Sequence, residues 1–349
     1  MKKNFCLFAL LLAFSVSVFA EVELSGEFQG GITNAFTEEN SSQAFKAEIN
    51  IAADIDEFTS VSIELDSEGV SDYDDDGIWV DEDWTDGNVG LDDIRLTTDL
   101  TGYFGIEAFD LTFTTGYFDT YYCNWNAVSR SGDEYYLGDA DDYLWSAGPT
   151  TDLAFEVQLG IGDYSAQYWM DYAASAFMFA VSGNPADEFS FLAGYYAETT
   201  TLDEGNIWVE TNLSLDAGSA KLSVPVAFAY ELTDDSWGWG TGIAADLVEE
   251  TVRLASGISG NSENSLETLN AEISTTSIEN TDIYAIADMD LSESTVFQSI
   301  DLGGIYDLGK LGVSAGYVVA TSDTVETSVY GGTSTVTGNG MYFFFDLDF

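Results

Sequence analysis

The last ten residues of the sequence, Gly340–Phe349 (GMYFFFDLDF), show a clear alternating pattern. Asp346 and Asp348 mark one parity, although Tyr342 and Phe344 weaken the contrast. A period of two places alternate side chains on opposite faces of a β-strand. The stretch is therefore predicted to be a strand with one apolar face, formed by Met341, Phe343, Phe345, Leu347 and Phe349.

The same alternation recurs along the chain and predicts an all-β protein of about eighteen strands, with sixteen as the nearest alternative. Pro225 lies inside one segment and, because it has no N–H group, predicts a bulge or local bend. The segments are 22–32, 45–55, 61–65, 91–100, 109–118, 154–161, 165–172, 176–182, 189–196, 207–215, 219–230, 238–247, 251–259, 266–274, 282–289, 296–306, 311–320 and 340–349.

The connections between these segments alternate between short and long. Short ones are 56–58, 162–164, 183–188, 216–218, 248–250 and 307–310, whereas 33–43, 67–90, 119–153, 197–206 and 321–339 are long. Two connections, 101–108 and 173–175, depart from this rule. Short periplasmic turns and long extracellular loops are typical of transmembrane β-barrels, which also require an even strand number. A β-sandwich is the alternative fold, but it does not require one side's loops to be longer.

The N-terminal segment Met1–Ala20 predicts a secretory signal peptide, with Lys2 and Lys3 before an apolar run and a small-residue cleavage site. An N-terminal membrane anchor is the alternative. The barrel domain would then span 21–349, with Cys123 as its lone cysteine and no intrachain disulfide. No later apolar run is long enough for a membrane helix, so a membrane protein of this composition must be a closed barrel.

The composition is strongly acidic, with 62 Asp and Glu, 8 Lys and Arg, no His, and a formal net charge of −54. Nucleic acid and anionic lipid surfaces are therefore poor partners. The absence of histidine removes Ser-His-Asp and Cys-His catalysis and His-ligated metals, so we expect no enzyme activity and no required cofactor. The acidity itself suits either a saline habitat or a cation-selective pore.

The alternation that ends on Phe349 resembles the closing strand of bacterial outer-membrane β-barrels, where the assembly machinery recognises that ending. This resemblance implies a location in the outer membrane of a diderm bacterium, with outer-membrane lipid and the barrel-assembly machinery as partners. The longest connection, 119–152, is similar to the third outer loop of general diffusion porins. In that family the loop folds into the barrel and narrows it, and the barrels are usually homotrimers.

The porin resemblance also implies a constriction in which loop carboxylates face basic side chains on the wall. The wall candidates are Lys46 and Arg95, which share the polar parity of their strands with Lys221 and Arg253. Avoidance of lipid alone would also turn these bases inward. The family's wall is usually richer in arginine, which favours a more negative pore here. The loop carboxylates are Asp133, Glu134, Asp139, Asp141 and Asp142.

The second outer loop contains a candidate calcium site. Asp72, Asp74 and Asp76 take the first, third and fifth positions of a D-x-D-x-D-G loop. The carbonyl of Ile78 would be the seventh ligand, and Asp83 falls at the twelfth position. The alternative is a solvated acidic loop tip, since the loop lacks flanking helices and a terminal Glu.

Together these features predict a porin with a water-filled, cation-selective channel, through which small hydrophilic solutes or cations diffuse passively. The alternative function is a surface adhesin or structural major outer-membrane protein, in which the acidic outer loops would form the working surface.

Overall fold

The structure is a computed structural model that describes residues 22–35, 41–74, 77–80, 90–106, 108–118, 128–130, 133–135, 152–173, 176–197, 205–233, 235–248, 251–292, 296–320, 325–329, 332–336 and 339–349. The predicted signal peptide lies outside these residues. Within them, no helix is both long enough and apolar enough to cross a membrane.

Nearly all of the described chain is β-strand. The elements are β1 (Val22–Ala35), β2 (Ser41–Asp54), β3 (Thr59–Asp74), β4 (Gly77–Val80), β5 (Gly90–Asp99), α1 (Leu100–Phe104), β6 (Asp110–Phe118), β7 (Val128–Arg130), β8 (Asp133–Tyr135), β9 (Asp152–Ile161), β10 (Tyr164–Asp171), β11 (Phe177–Ala186), β12 (Phe189–Ala197), β13 (Asn206–Asp216), β14 (Ala220–Glu231), β15 (Ser236–Leu247), β16 (Val252–Asn261), β17 (Thr268–Ile278), β18 (Thr281–Asp290), β19 (Phe297–Asp307), β20 (Leu311–Ala320), β21 (Val325–Val329), β22 (Gly332–Val336) and β23 (Gly340–Asp348).

Eighteen of these strands form one closed antiparallel barrel, which confirms the predicted number over the alternative of sixteen. Each wall strand pairs with the next one in the sequence, and β23 pairs with β1. At this closing seam Phe28 lies opposite Leu347, and Gly30 lies opposite Phe345. The predicted strand 340–349 is thus a wall strand, and it completes the ring between β20 and β1. The five strands outside the wall set are β4, β7, β8, β21 and β22.

The two ends of the barrel differ as the connection lengths predicted. At the inner end, turns of two to four residues join wall strands, as between Ile161 and Tyr164. The longer inner connection carries α1, whose N-cap Asp99 accepts a hydrogen bond from the backbone N–H of Gly102. The helix ends at Gly105, which has φ of 64° in the left-handed region that glycine tolerates. The long connections emerge at the opposite end, called the outer end here, and contain the hairpins β3–β4, β7–β8 and β21–β22.

Side-chain burial on β13 follows the predicted parity. Along β13, Asn206, Trp208 and Glu210 are buried, whereas Ile207 and Val209 between them are 45% and 40% exposed. The buried set points to the barrel interior, and the exposed apolar set forms the outer surface. Such an apolar exterior, continued around the ring, suits a hydrocarbon environment, because only a closed barrel pairs every wall strand there.

An internal apolar cluster covers part of the wall near the outer end. Phe118, Trp169, Met178, Tyr196 and Trp208 are each no more than 3% exposed and lie on the interior parity of β6 to β13. Of the strands β6 to β13, β6 and β9 border the longest connection. The interior is therefore asymmetric, because β17, β18 and β19 instead carry buried carboxylates on the same face.

The bulge predicted at Pro225 is not formed. Ser223 lies opposite Ala244 and Val226 opposite Thr241, so the register of β14 and β15 is unchanged across the proline. Because Pro225 has no N–H, only the local pairing with β15 is interrupted. The side chain of Thr241 donates a hydrogen bond of 3.0 Å to the Pro225 carbonyl. On its other side, Pro225 remains paired with Asn212 of β13.

Candidate pore and its charged lining

Arg95 on β5 is held against its own wall. Its Nε donates a 2.6 Å hydrogen bond to Asp93 Oδ2, two residues earlier on the same face. Its guanidinium also lies 5.3 Å from the ring centroid of Phe118 on β6. Asp93 is buried, whereas the Arg95 side chain is 43% exposed. Much of the positive charge that Arg95 brings to the interior is therefore balanced locally.

A row of alternating charge crosses four strands toward the inner end. Asp216 lies opposite Lys221, Lys221 opposite Asp246, and Asp246 opposite Arg253. Arg253 Nη1 lies 3.3 Å from Asp246 Oδ1. The inward parity predicted for Lys221 and Arg253 is seen in the register. Lys221 faces a carboxylate on each neighbouring strand, and Arg253 faces one on β15. This part of the wall contributes little net charge to the interior.

The predicted constriction residues lie on several separate elements. Lys46 lies on β2, where its backbone is opposite Gln29 and Glu68. Asp133 and Glu134 lie on β8, in the short hairpin that β8 forms with β7. The remaining predicted loop carboxylates, Asp139, Asp141 and Asp142, lie outside the described residues.

The β7–β8 hairpin reaches the opposite side of the barrel from its origin. Cα atoms of β7 come within 8 Å of β16 and β17. The hairpin belongs to the connection between β6 and β9, and β6 is the fifth wall strand whereas β16 is the thirteenth. Eight steps on a ring of eighteen strands are close to half of the circumference. The described β7–β8 hairpin of the third outer connection therefore lies near β16 and β17.

Carboxylates on the wall itself were missed by the sequence reasoning. Glu272, Asp282 and Asp301 are 4%, 7% and 2% exposed and lie on the interior face of β17, β18 and β19. Tyr342 Oη donates a 2.8 Å hydrogen bond to Asp301 Oδ1, and the Tyr342 and Tyr284 hydroxyls are hydrogen-bonded to each other. The inward parity of these acids was available from the sequence, but their grouping depends on the register between strands.

A second acidic group lies at the closing seam. Carboxylate oxygens of Glu27, Asp346 and Asp348 lie within 4.8 Å of one another, and among the described residues this is the one such group of three acids. Glu27 lies opposite Asp348 in the pairing of β1 with β23. The first and last strands of the barrel, β1 and β23, therefore both place negative charge on the interior face at the seam.

The candidate calcium loop is partly described. Asp72 and Asp74 lie in the outer part of β3, which pairs with β4 so that Asp74 is opposite Gly77 and Tyr73 opposite Ile78. Asp76, in the connection between these two strands, lies outside the described residues, and so does Asp83. The calcium assignment stays a prediction.

Comparison with known proteins supports the fold through structure alone. No protein-family model matches the sequence, and no curated protein matches it. A triple mutant of the Rhodopseudomonas blastica porin aligns with a TM-score of 0.54 and 13% identity, covering 94% of this chain and 100% of that one. The low-pH structure of Pseudomonas putida OprB aligns with a TM-score of 0.53 and 9% identity, covering 94% and 92%.

The chain therefore has the fold of bacterial outer-membrane porins. The shared features are a closed antiparallel barrel and strands that make up nearly the whole described chain. At 9% to 13% identity the likeness concerns the fold alone.

Proposed function

We propose that this protein is an outer-membrane porin, which forms a water-filled, cation-selective channel for passive diffusion of small hydrophilic solutes. The observation that carries the proposal is the closed eighteen-strand barrel with charged residues on its interior face and apolar residues outside. A barrel of this strand number has room for an aqueous channel, whereas eight-stranded barrels are filled by side chains.

The outer surface supports a location in the outer membrane. Side chains such as Leu213, Phe228 and Ile243 are 40% to 50% exposed and face away from the barrel interior. Exposure of so many large apolar groups is costly in water and favourable in lipid. Outer-membrane lipid and the barrel-assembly machinery are accordingly the proposed partners. A homotrimer is proposed from the resemblance to porins.

The balance of charge on the interior supports the proposed cation selectivity. Two described bases lie beside wall carboxylates, as in Arg95 with Asp93 and Arg253 with Asp246. Further buried acids, including Glu272 and Asp301, add negative charge to the same face. The whole chain carries a formal charge of −54. Carboxylates around a low-dielectric passage concentrate cations and exclude anions.

Single-channel recording in planar bilayers tests the proposal directly. We expect ohmic openings and a reversal potential of the cation-selective sign across a KCl gradient. Membranes that stay silent despite insertion of folded barrel would reject the channel, and an anion-selective reversal potential would reject the proposed charge filter. Removal of the outer loops tests the surface-adhesin alternative. If the protein is an adhesin, that removal should abolish binding to a host or matrix surface and leave conductance unchanged.

A further inference from the structure

The side chain of Asn270 on β17 is buried and incompletely satisfied. The residue is 3% exposed, and its Oδ1 accepts no hydrogen bond. It lies on the interior parity of the strand, between Thr268 and Glu272. An amide oxygen that is shielded from water needs a donor or a cation, because burial without either is unfavourable.

Two carboxylates stand next to this amide oxygen. Asn270 is directly opposite Asp288 in the pairing of β17 with β18. Glu272 is the next residue along the same face of β17, and it is 4% exposed. Facing residues in an antiparallel pair have Cβ atoms about 4.5–5.5 Å apart, so these three side chains share one small region of the wall.

Hydroxyl groups hold both carboxylates in place. Ser274 Oγ donates a 2.6 Å hydrogen bond to Glu272 Oε1, and Ser299 Oγ donates a 3.2 Å hydrogen bond to Asp288 Oδ2. Hydrogen bonds of this kind orient ligand carboxylates in metal sites. Arg253 on the neighbouring strand β16 lies opposite Ser274 and contacts Asp246. The short strand β7, which contains Arg130, also approaches β17.

We propose that Asn270, Glu272 and Asp288 form a calcium site on the interior wall of the barrel. The three side chains provide two carboxylates and one amide oxygen, which are the hard ligands that Ca²⁺ prefers. Water completes the coordination sphere, as is common where the protein supplies few ligands. The set contains no nitrogen or sulfur donor of the type that zinc or copper selects. Calcium binding at this wall site does not depend on whether the barrel conducts ions, or on calcium binding at the candidate loop 72–83.

Calorimetric titration of the folded barrel with CaCl₂ in detergent tests the site. The background is the double variant Asp74→Asn with Asp76→Asn, which removes ligands of the candidate loop. Asn270→Ala, which leaves the net charge unchanged, should weaken the calcium affinity at least tenfold. Asp288→Asn, which removes one negative charge, should weaken it by a similar factor. Glu279→Gln, on an exposed inner turn, is the control for the loss of one charge and should leave the affinity within twofold.

Asn270→Asp provides a second variant of nearly identical shape, in case Asn270→Ala fails to fold. It adds a third carboxylate and should tighten calcium binding severalfold. The proposal is overturned if the background protein gives no calcium heat. It is equally overturned if Asn270→Ala binds like its parent while Asp288→Asn and Glu279→Gln weaken binding equally, since diffuse attraction to an acidic protein would then explain the signal.

Discussion

Tyr342 lies flat against Gly316, its cross-strand partner on β20. A Cβ atom added at Gly316 would overlap the hydroxyl end of the Tyr342 ring, and one added at Gly303 would overlap both the Tyr342 and the Tyr284 hydroxyls. The ring is 3% exposed. These two glycines therefore provide the space in which the tyrosines lie along the wall instead of projecting into the interior. Gly194 has the same relationship with Trp208.

Replacement of Gly316 should narrow the channel. In Gly316→Ala the new methyl group displaces the Tyr342 ring toward the interior, and overpacking of this kind costs about 1–3 kcal/mol. We expect a smaller single-channel conductance and a lower unfolding temperature. Gly160→Ala is the matched control, because it adds a methyl on the same face where the contact is only with the side chain of Asp110. Equal conductance in the two variants would show that Tyr342 does not move.

The tyrosine hydroxyl should contribute to barrel stability. Tyr342→Phe removes the hydrogen bond to Asp301 and leaves a buried carboxylate with one donor fewer. Hydrogen bonds to charged groups contribute about 1.5–3 kcal/mol, so we expect a loss of that size in urea unfolding from lipid vesicles. Tyr306→Phe, on the outer face, controls for loss of a hydroxyl that is 45% exposed. The role assigned to the hydroxyl fails if both variants unfold at the same urea concentration.

Phe349 should support closure of the barrel. Its backbone N–H donates a 3.0 Å hydrogen bond to the Gly26 carbonyl, and its ring lies where a side chain at position 26 would be. Phe349→Ala removes the ring at the seam and should reduce the fraction of heat-modifiable barrel in the outer membrane. Leu302→Ala, a truncation on the outer face of β19 away from the seam, is the control. Assembly of Phe349→Ala at the level of Leu302→Ala would contradict a specific role for the ring.

The third outer connection should contribute to the selectivity. Neutralising its five predicted acids together (Asp133, Glu134, Asp139, Asp141 and Asp142) should lower the cation-to-anion permeability ratio measured by reversal potential. The effect should weaken with salt, because the Debye length falls from about 30 Å at 0.01 M to about 3 Å at 1 M. The control neutralises five exposed acids of the inner turns, Glu57, Asp163, Asp187, Glu188 and Glu279. Equal changes in the two quintuple variants would place the charge filter elsewhere on the barrel.

Calcium should protect the second outer loop from proteolysis if the D-x-D-x-D-G motif binds it. Millimolar CaCl₂ should slow cleavage within 67–90 in the wild type, because a bound cation relieves repulsion among the aspartates. Asp74→Asn combined with Asp76→Asn should abolish that protection. Asn270→Ala is the control that removes only the proposed wall site. Cleavage rates that are insensitive to calcium in the wild type would eliminate the loop site.

Parity is a local property, and the sequence alone was sufficient to predict it. The alternation along 340–349 correctly identified a strand with Phe343 and Phe345 outside, because successive side chains of any extended chain point to opposite faces. The same reasoning turned Arg253 inward and separated short from long connections. The number of wall strands, eighteen, was obtained by counting these segments.

Neighbours across strands were decided only by the tertiary structure. Asn270 faces Asp288, and Gly316 faces Tyr342, because the register of each ladder places them at one level. Register depends on every hydrogen-bonded pair around the closed ring, so no single segment contains that information. The register of β14 and β15 is likewise unchanged on both sides of Pro225, which the proline in the sequence did not indicate.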